Sequence, residues 1–246
     1  MKTRPDSLLG RLAVAARPSR PWLRVQASNW WTRVLLAGGA RLRPLDGADL
    51  RTADLTGTYL RGANLRGADL RGAILRGADL RGAHLEEADL TRADLRGAYL
   101  IAANLTGADL TRADLRAVDL TGVDLTRAWL TGAHLVRADL PGAILPGAVL
   151  GGADLDGADL TRADLRGTDL RGAILRSADL DAANLDRANL DGADLVNVTW
   201  SERTRWPEAV AAVMRERSVP IGGGRYRVQG SGTTGADLPV PPVPVS

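Results

Sequence analysis

The chain is predicted to fold as a solenoid that turns a corner every five residues, and three observations predict it. Leucine occupies every fifth position from Leu45 to Leu195, thirty-one times without a miss. Alanine stands two residues before most of these leucines, and glycine stands two residues after many of them, as at Gly57, Gly62, Gly67 and Gly72. On an α-helix every fifth residue advances about 500°, so the leucines would circle the helix and define no buried stripe. In a flat strand side chains alternate between faces, which would leave half of the leucines in water. The recurrent glycine marks a tight turn instead. What remains is a coil whose Leu and Ala face inward, with three outward positions between them, and each repeat buries its apolar face only by stacking on its neighbours.

The frame is seen in Ala68-Asp69-Leu70-Arg71-Gly72, and its tolerance in Ala108-Asp109-Leu110-Thr111-Arg112, where Arg stands in place of Gly. This motif resembles that of the pentapeptide repeat proteins. The resemblance implies an all-β solenoid, a right-handed quadrilateral parallel β-helix of four pentapeptides per coil. Over residues 45–200 that gives between seven and eight coils, and at about 4.8 Å per coil a rod roughly 37 Å long.

Ahead of the rod, residues 1–44 hold nine Lys or Arg and one acid. They form a basic arm with an amphipathic helix expected around Trp22 to Leu36. At about 100° per residue, Leu23, Trp30, Trp31 and Val34 gather on one side of it. Such a helix either caps the open first coil or lies on a membrane surface. After the rod, residues 201–220 are expected to form a capping helix that opens at Trp206-Pro207-Glu208, since Pro is favoured in a first turn. Thr204-Arg205-Trp206-Pro207-Glu208 also resembles the closing sequence of many pentapeptide repeat proteins. Residues 221–246, rich in Gly and Pro, are expected to be a disordered tail.

Catalysis has no footing in this sequence. There is no Cys, and His84 and His134 are 50 residues apart, which at 20 residues per coil places them on opposite sides of the rod. No metal site, cofactor site or catalytic cluster follows from the residues, and the protein is expected not to be an enzyme and to take no small-molecule substrate. Arg24, Gln26, Asn29 and Arg33 interrupt residues 21–40 as a membrane span, Arg11 interrupts a secretory signal, and a cytoplasmic bacterial protein is the expectation.

Function is therefore sought on the outer walls. Residues 45–195 carry 17 Arg and 24 acids, a balance of −7. One wall stacks Tyr59, Asp79, Tyr99, Asp119, Asp139, Asp159 and Asp179 just before Leu, with Asp181 after Leu, so its second half is acidic. Two walls pair their charges internally, as at Asp49 and Arg51, Asp69 and Arg71, Asp94 and Arg96, and Asp114 and Arg116; between coils, Asp156 is expected beside Arg176, Arg171 beside Asp191 and Arg166 beside Asp186. In mid-rod the outward Asp gives way to an apolar girdle of Trp129, Val136, Ile144 and Val149, with Pro141 and Pro146 nearby.

Two functions compete. The family resemblance implies a DNA-mimicking rod that binds DNA gyrase, inhibiting it or protecting it from quinolone-like poisons. The wall of Asp119, Asp139, Asp159, Asp179 and Asp181 resembles that feature. A column of Asp gives one charge per about 4.8 Å, however, against about 1.7 Å of axis for duplex DNA, and the basic arm opposes mimicry. The alternative is a protein interaction scaffold using the girdle, held at a membrane by the arm. Direct nucleic acid binding by the rod is not expected, and Ala209 to Met214 offers an apolar segment for a homodimer.

Overall fold

The computed structural model describes residues 45–230. The arm residues Leu23, Trp30, Trp31 and Val34 lie outside them. Within the described region each pentapeptide builds the same unit. The N–H three residues after a leucine donates back to that leucine's carbonyl, as from Ala53 to Leu50 at 3.0 Å. The third residue of this turn is left-handed, as at Gly62 with φ of 64°. That is the conformation a type II turn demands, and glycine adopts it without a Cβ penalty. The turn is nonetheless strong enough to hold Arg112 at φ 57° and Ala117 at φ 51°.

Stacking is parallel with a register of 20 residues. The residue before each leucine bridges its counterpart one coil on, from Asp49 with Asp69 through Asp179 with Thr199. Around Leu110 the pattern is complete: Asp109 N–H donates to Ala88, Leu110 N–H to Trp129 and Arg112 N–H to Thr131, at 2.7–3.0 Å. With Ala113 N–H on Leu110 and Thr111 N–H on the Asp109 carboxylate, every N–H of this pentapeptide is engaged. Four walls result, named here by their mid-rod members: the Trp129 wall, the His134 wall, the Asp139 wall and the Ile144 wall.

The interior holds the leucine ladder and its alanines, almost all at 0–2% exposure. Two threonines occupy alanine positions inside, and each satisfies its hydroxyl on a backbone carbonyl: Thr58 on Leu55 at 2.7 Å and Thr168 on Leu145 at 2.9 Å. Buried hydroxyls are tolerated only when bonded in this way.

The ladder closes with larger side chains. Trp200 takes the leucine position after Leu195 and is 2% exposed. One extra residue then enters, since Asn184 bridges Arg205 rather than a residue 20 away. Thr204 fills the alanine slot with its hydroxyl on Leu180, and Trp206 fills the next leucine slot. Helix α1, Glu208–Glu216, follows Pro207, and Met214 is its buried residue. Its Ala209, Ala211 and Ala212 face outward.

Past the helix the structure departs from the expected tail. Strand β1, Thr199–Ser201, pairs antiparallel with β3, Arg225–Val228, which pairs in turn with β2, Ser218–Gly222. Residues 221–228 are therefore ordered strand and turn rather than disordered tail. Gly223 and Gly224 form the two-residue hairpin connection, and with Gly222 at the end of β2 all three take positive φ; it is this function of the glycines that a compositional view takes for flexibility. Tyr226 stacks on Trp200 with ring centroids 4.7 Å apart, and Trp206 meets Trp200 edge-on at 5.9 Å.

Candidate functional site on the outer walls

Most outward aspartates are part of the fold. The carboxylate of the residue before Leu accepts the N–H of the residue after Leu, closing an Asx turn: Thr111 to Asp109 at 2.9 Å, Thr126 to Asp124 at 2.9 Å, Thr56 to Asp54 at 3.0 Å. This bond rewards Asp or Asn at the position and explains their recurrence. Where Arg follows Leu, its Nε and Nη2 also clasp both oxygens of the same Asp. Such clasps occur at Asp49, Asp69, Asp79, Asp94, Asp114, Asp164 and Asp169, with shortest contacts of 2.5–2.8 Å.

The expected neighbours between coils take second place to these clasps. Arg171 closes on Asp169 and Arg166 on Asp164, each at 2.7 Å, while Asp191 and Asp186 one coil on still attract them by charge alone; Arg176 reaches Asp194 at 2.5 Å rather than Asp156. The two-pronged grip on one carboxylate explains the first two, since it adds geometry as well as charge. Hydrogen bonds from Arg96 and then Arg76 hold the Asp94 carboxyl down to about 2, against the opposing effect of its partial burial.

The Asp139 wall breaks this rule. Asp119, Asp139 and Asp159 stack in consecutive coils, and among the described residues no cation lies within ion-pair distance of any of them. Asp119 and Asp159 still receive their turn N–H from Thr121 and Thr161, at 3.0 and 2.8 Å. Asp139 receives none there, because residue 141 is proline and has no N–H. Partial desolvation, and then repulsion from Asp119 and Asp159, push its carboxyl above the usual range.

The other two predicted acids are not available in the same way. Arg225 of β3 pairs with Asp179, and also reaches Thr199 Oγ1 at 3.1 Å. Arg203 approaches Asp181 at 3.5 Å. The C-terminal segment thus neutralises the upper end of the wall, and the free column is Asp119, Asp139 and Asp159, bounded below by the exposed Tyr99. This capping by residues 46 and 22 positions away from the acids had no signature in the repeat spacing.

The pH dependence follows with its sign. For Asp139 the folded pKa lies above the unfolded one, so its contribution to stability is present below about pH 4 and is lost as pH rises through the folded value. Asp94 acts oppositely: its contribution is present above about pH 4 and lost as pH falls toward about 2. Asp139→Asn should therefore melt slightly higher than the native protein at pH 7, with the gain vanishing below about pH 3, whereas Asp94→Asn should melt lower at pH 7. Thermal melts across this range check both, and an Asp139→Asn melt no higher than native at pH 7 would contradict the repulsion.

The apolar girdle divides between walls. Trp129 bridges Val149 on one wall, with Trp129 54% exposed. Ile144, 41% exposed, stands on the preceding wall, and its pentapeptide leads through Pro146 and the Gly147 corner directly to Val149. Val136 lies on the His134 wall, on the other side of Trp129. The cluster that forms a continuous surface is therefore Ile144, Pro146, Val149 and Trp129.

Among the described residues no group of three or more His, Asp or Glu is placed to hold a metal ion, and no helix is long and apolar enough to cross a membrane. A cleft at the cap, lined by Trp200, Trp206, Ala211 and Ala212, has the Glu202–Arg215 ion pair at its edge.

A repeating wall of this geometry defines the class of β-helical solenoids, and the comparisons give the particular family. The pentapeptide repeat family model matches residues 45–199 in overlapping segments, and the chain belongs to that family. Among solved structures it is similar to HetL, a pentapeptide repeat protein involved in heterocyst differentiation regulation from the cyanobacterium Nostoc, with 38% identity over 67% of this chain and 85% of that one and a TM-score of 0.49. It is also similar to Rfr23 from the cyanobacterium Cyanothece, at 29% identity over 42% of this chain and 63% of that one, with a TM-score of 0.34. QnrB1, a plasmid-mediated fluoroquinolone resistance protein, matches at 15% identity over 54% of this chain and 78% of that one, with a TM-score of 0.35. No curated protein sequence matches the chain.

Proposed function

We propose that the protein is a non-catalytic binding rod whose partner face is the short acidic column Asp119, Asp139 and Asp159. One observation carries this reading. The rod clasps seven of its aspartates with an arginine two residues on, yet leaves three like charges stacked directly over one another. Like charges opposite each other in a sheet destabilise it. A cationic partner surface would relieve that cost on binding, and would gain from the field of the column during approach.

A groove built to hold a nucleic acid backbone is the chemistry that fits, and the family resemblance makes DNA gyrase the partner to test first. Three charges at coil spacing fall far short of the charge density of a duplex. The partner would read a short acidic strip beside Tyr99 rather than a full imitation of DNA. In a gyrase supercoiling assay, with and without a quinolone, the native protein should inhibit or protect, and the triple variant Asp119→Asn, Asp139→Asn, Asp159→Asn should lose at least tenfold in potency while melting no lower. No effect of the native protein on supercoiling or on drug-induced cleavage would rule the gyrase reading out.

The exposure of Trp129 favours a second reading, a scaffold that captures a protein through the girdle, since exposed aromatic and Arg side chains are the usual anchors of interfaces. Trp129→Ala with Ile144→Ser should then abolish capture, and the acidic triple variant should not.

A further inference from the structure

The wall that carries the acidic column changes character halfway along. Its lower half bears Tyr59 with Arg61, then Asp79 with Arg81, then Tyr99 with Ile101, one level per coil; its upper half bears Asp119, Asp139 and Asp159. Asp79 is buried and clasped by Arg81 at 2.5 Å, so the second level presents a guanidinium rather than a carboxylate. Arg61 is exposed, enters no ion pair among the described residues, and reaches Asp79 only through its field. Tyr59 and Tyr99 stand exposed on either side of that pair. One end of the wall is cationic and aromatic, and the other is anionic.

A surface divided in this way is complementary to its own reversed copy. A twofold axis that crosses the wall between the Tyr99 and Asp119 levels sets two rods antiparallel and face to face, with the same patch used by both. Such an axis keeps column against column and pairs the first level with the sixth, the second with the fifth and the third with the fourth. Tyr59 and Arg61 then meet Asp159, Arg81 meets Asp139, and Tyr99 meets Asp119. At the centre, Tyr99 and Ile101 of the two copies fall on adjacent levels, about 4.8 Å apart along the rods. Each unclasped aspartate faces a phenol O–H or a guanidinium, and Asp139, which has no turn N–H, gains a donor.

The corners permit this approach. Arg137 and Arg162 rim the acidic half, and the same axis brings them opposite Gly77 and Gly62, where an added Cβ would meet nothing within 4 Å. The chain's net charge of +3 sets little long-range repulsion against the pairing. The wall's backbone is engaged between coils, as where Asp139 N–H donates to Val118 and its carbonyl accepts from Leu120, so the contact is made by side chains. Six levels of about 4.8 Å across a side of roughly 12 Å give about 350 Å² of facing surface per rod, under half of the ~800 Å² that a partner contributes to a standard interface. The pairing is therefore weak, held by charge and sensitive to salt.

We propose that the acidic column is taken by a second copy of this chain, in an antiparallel dimer that lays the Tyr59–Ile101 half of one wall on the Asp119–Asp159 half of the other. This rests on the reading of the column as a partner face and names a second copy as one partner for it. Any other cationic partner must displace that copy, so dimerisation hides the column at high protein concentration.

The test is sedimentation equilibrium of the full-length native protein and of two full-length variants, Arg61→Glu and Asp159→Lys. Trp129, His134 and Ile144 hold the position of Asp159 in their own repeats without a carboxylate, so the second variant should fold, and thermal melts close to native check both. The native protein should move toward twice the single-chain mass as its concentration rises to about 1 mM at low ionic strength, and return to the single-chain mass once salt shortens the screening length to about 8 Å. Each variant alone sets like charges opposite each other at both ends of the contact and should associate at least ~10-fold more weakly. Mixed in equal amounts, the two variants bring opposite charges together at both ends and should recover native association to within about threefold. A native protein that keeps the single-chain mass at every concentration and salt would overturn the proposal. Association that survives in both variants would overturn it too, because another surface then holds the dimer, as would a mixture that associates no better than either variant alone. The gyrase assay, run below the concentration at which the copies pair, decides the gyrase reading separately.

Discussion

Leu110→Asp should abolish cooperative folding of the middle of the rod. Leu110 is completely buried, and Leu90 and Leu130 stand in the same column one coil away on either side. A carboxylate placed there has no water and no cation, and the interior around it offers only the apolar side chains of alanine, leucine and valine. Loss of the leucine alone would cost about 2–5 kcal/mol, and an unpaired buried charge adds to it. The total exceeds about 5 kcal/mol, more than ordinary substitutions produce and comparable to the whole stability of a small domain. Because each coil is stabilised only by its neighbours, coils on both sides should loosen. The measurements are a thermal melt by circular dichroism and hydrogen exchange across residues 90–130. Leu110→Met, which preserves volume, should cost less than about 1.5 kcal/mol. A melting temperature for Leu110→Asp within a few degrees of native would contradict the core.

That interior was legible because only one geometry satisfies a five-residue period, and Leu, Ala and the turn residue each declare their position in every repeat. The walls were legible in address but only partly in chemistry. That Asp119, Asp139 and Asp159 stack follows from counting by 20. That Arg171 would choose Asp169 over Asp191 does not, since both lie within reach of a long side chain, and hydrogen-bond geometry decides between them. The role of Asp as the acceptor of a turn N–H was also missed, although the signal was there: Asn replaces Asp at Asn64, Asn104 and Asn184, where only an acceptor oxygen is needed. Proline at 141, which leaves Asp139 without that bond, was equally visible.

The end of the rod was the least legible part. The leucines stop at Leu195, and although Trp200 still falls on the five-residue frame, nothing in the spacing announces that Trp206 continues the inner ladder after one inserted residue. Glycines 222–224 suggested a flexible tail because composition cannot distinguish a hairpin connection from a linker. Arg225 could be placed on Asp179 only after β3 was known to return over the last coil. Thus the size of the acidic column depends on the cap.

Trp200→Ala should show this dependence. Trp200 closes the leucine ladder at 2% exposure, stacks on Tyr226 of β3, meets Trp206 edge-on, and donates its indole N–H to Ser218 Oγ at 2.9 Å. One side chain thereby joins the last coil, the helix entry and both hairpin strands. Its truncation should cost about 3–5 kcal/mol, concentrated at one end because repeat stacks lose stability locally before they lose it globally. Hydrogen exchange should therefore accelerate by orders of magnitude at Leu180, Asn197 and Val228, with little change at Leu70 or Leu90. Trp200→Phe, which retains the stacking but loses the bond to Ser218, should fall between the two. Release of β3 would also remove Arg225 from Asp179 and lengthen the free acidic column to four levels, so the melting temperature of Trp200→Ala should depend more strongly on salt than that of the native protein, because added salt screens the larger repulsion. Acceleration spread evenly from Leu70 to Val228 would show that the cap and the rod unfold as one unit, and would contradict the assignment of Trp200 as a local keystone.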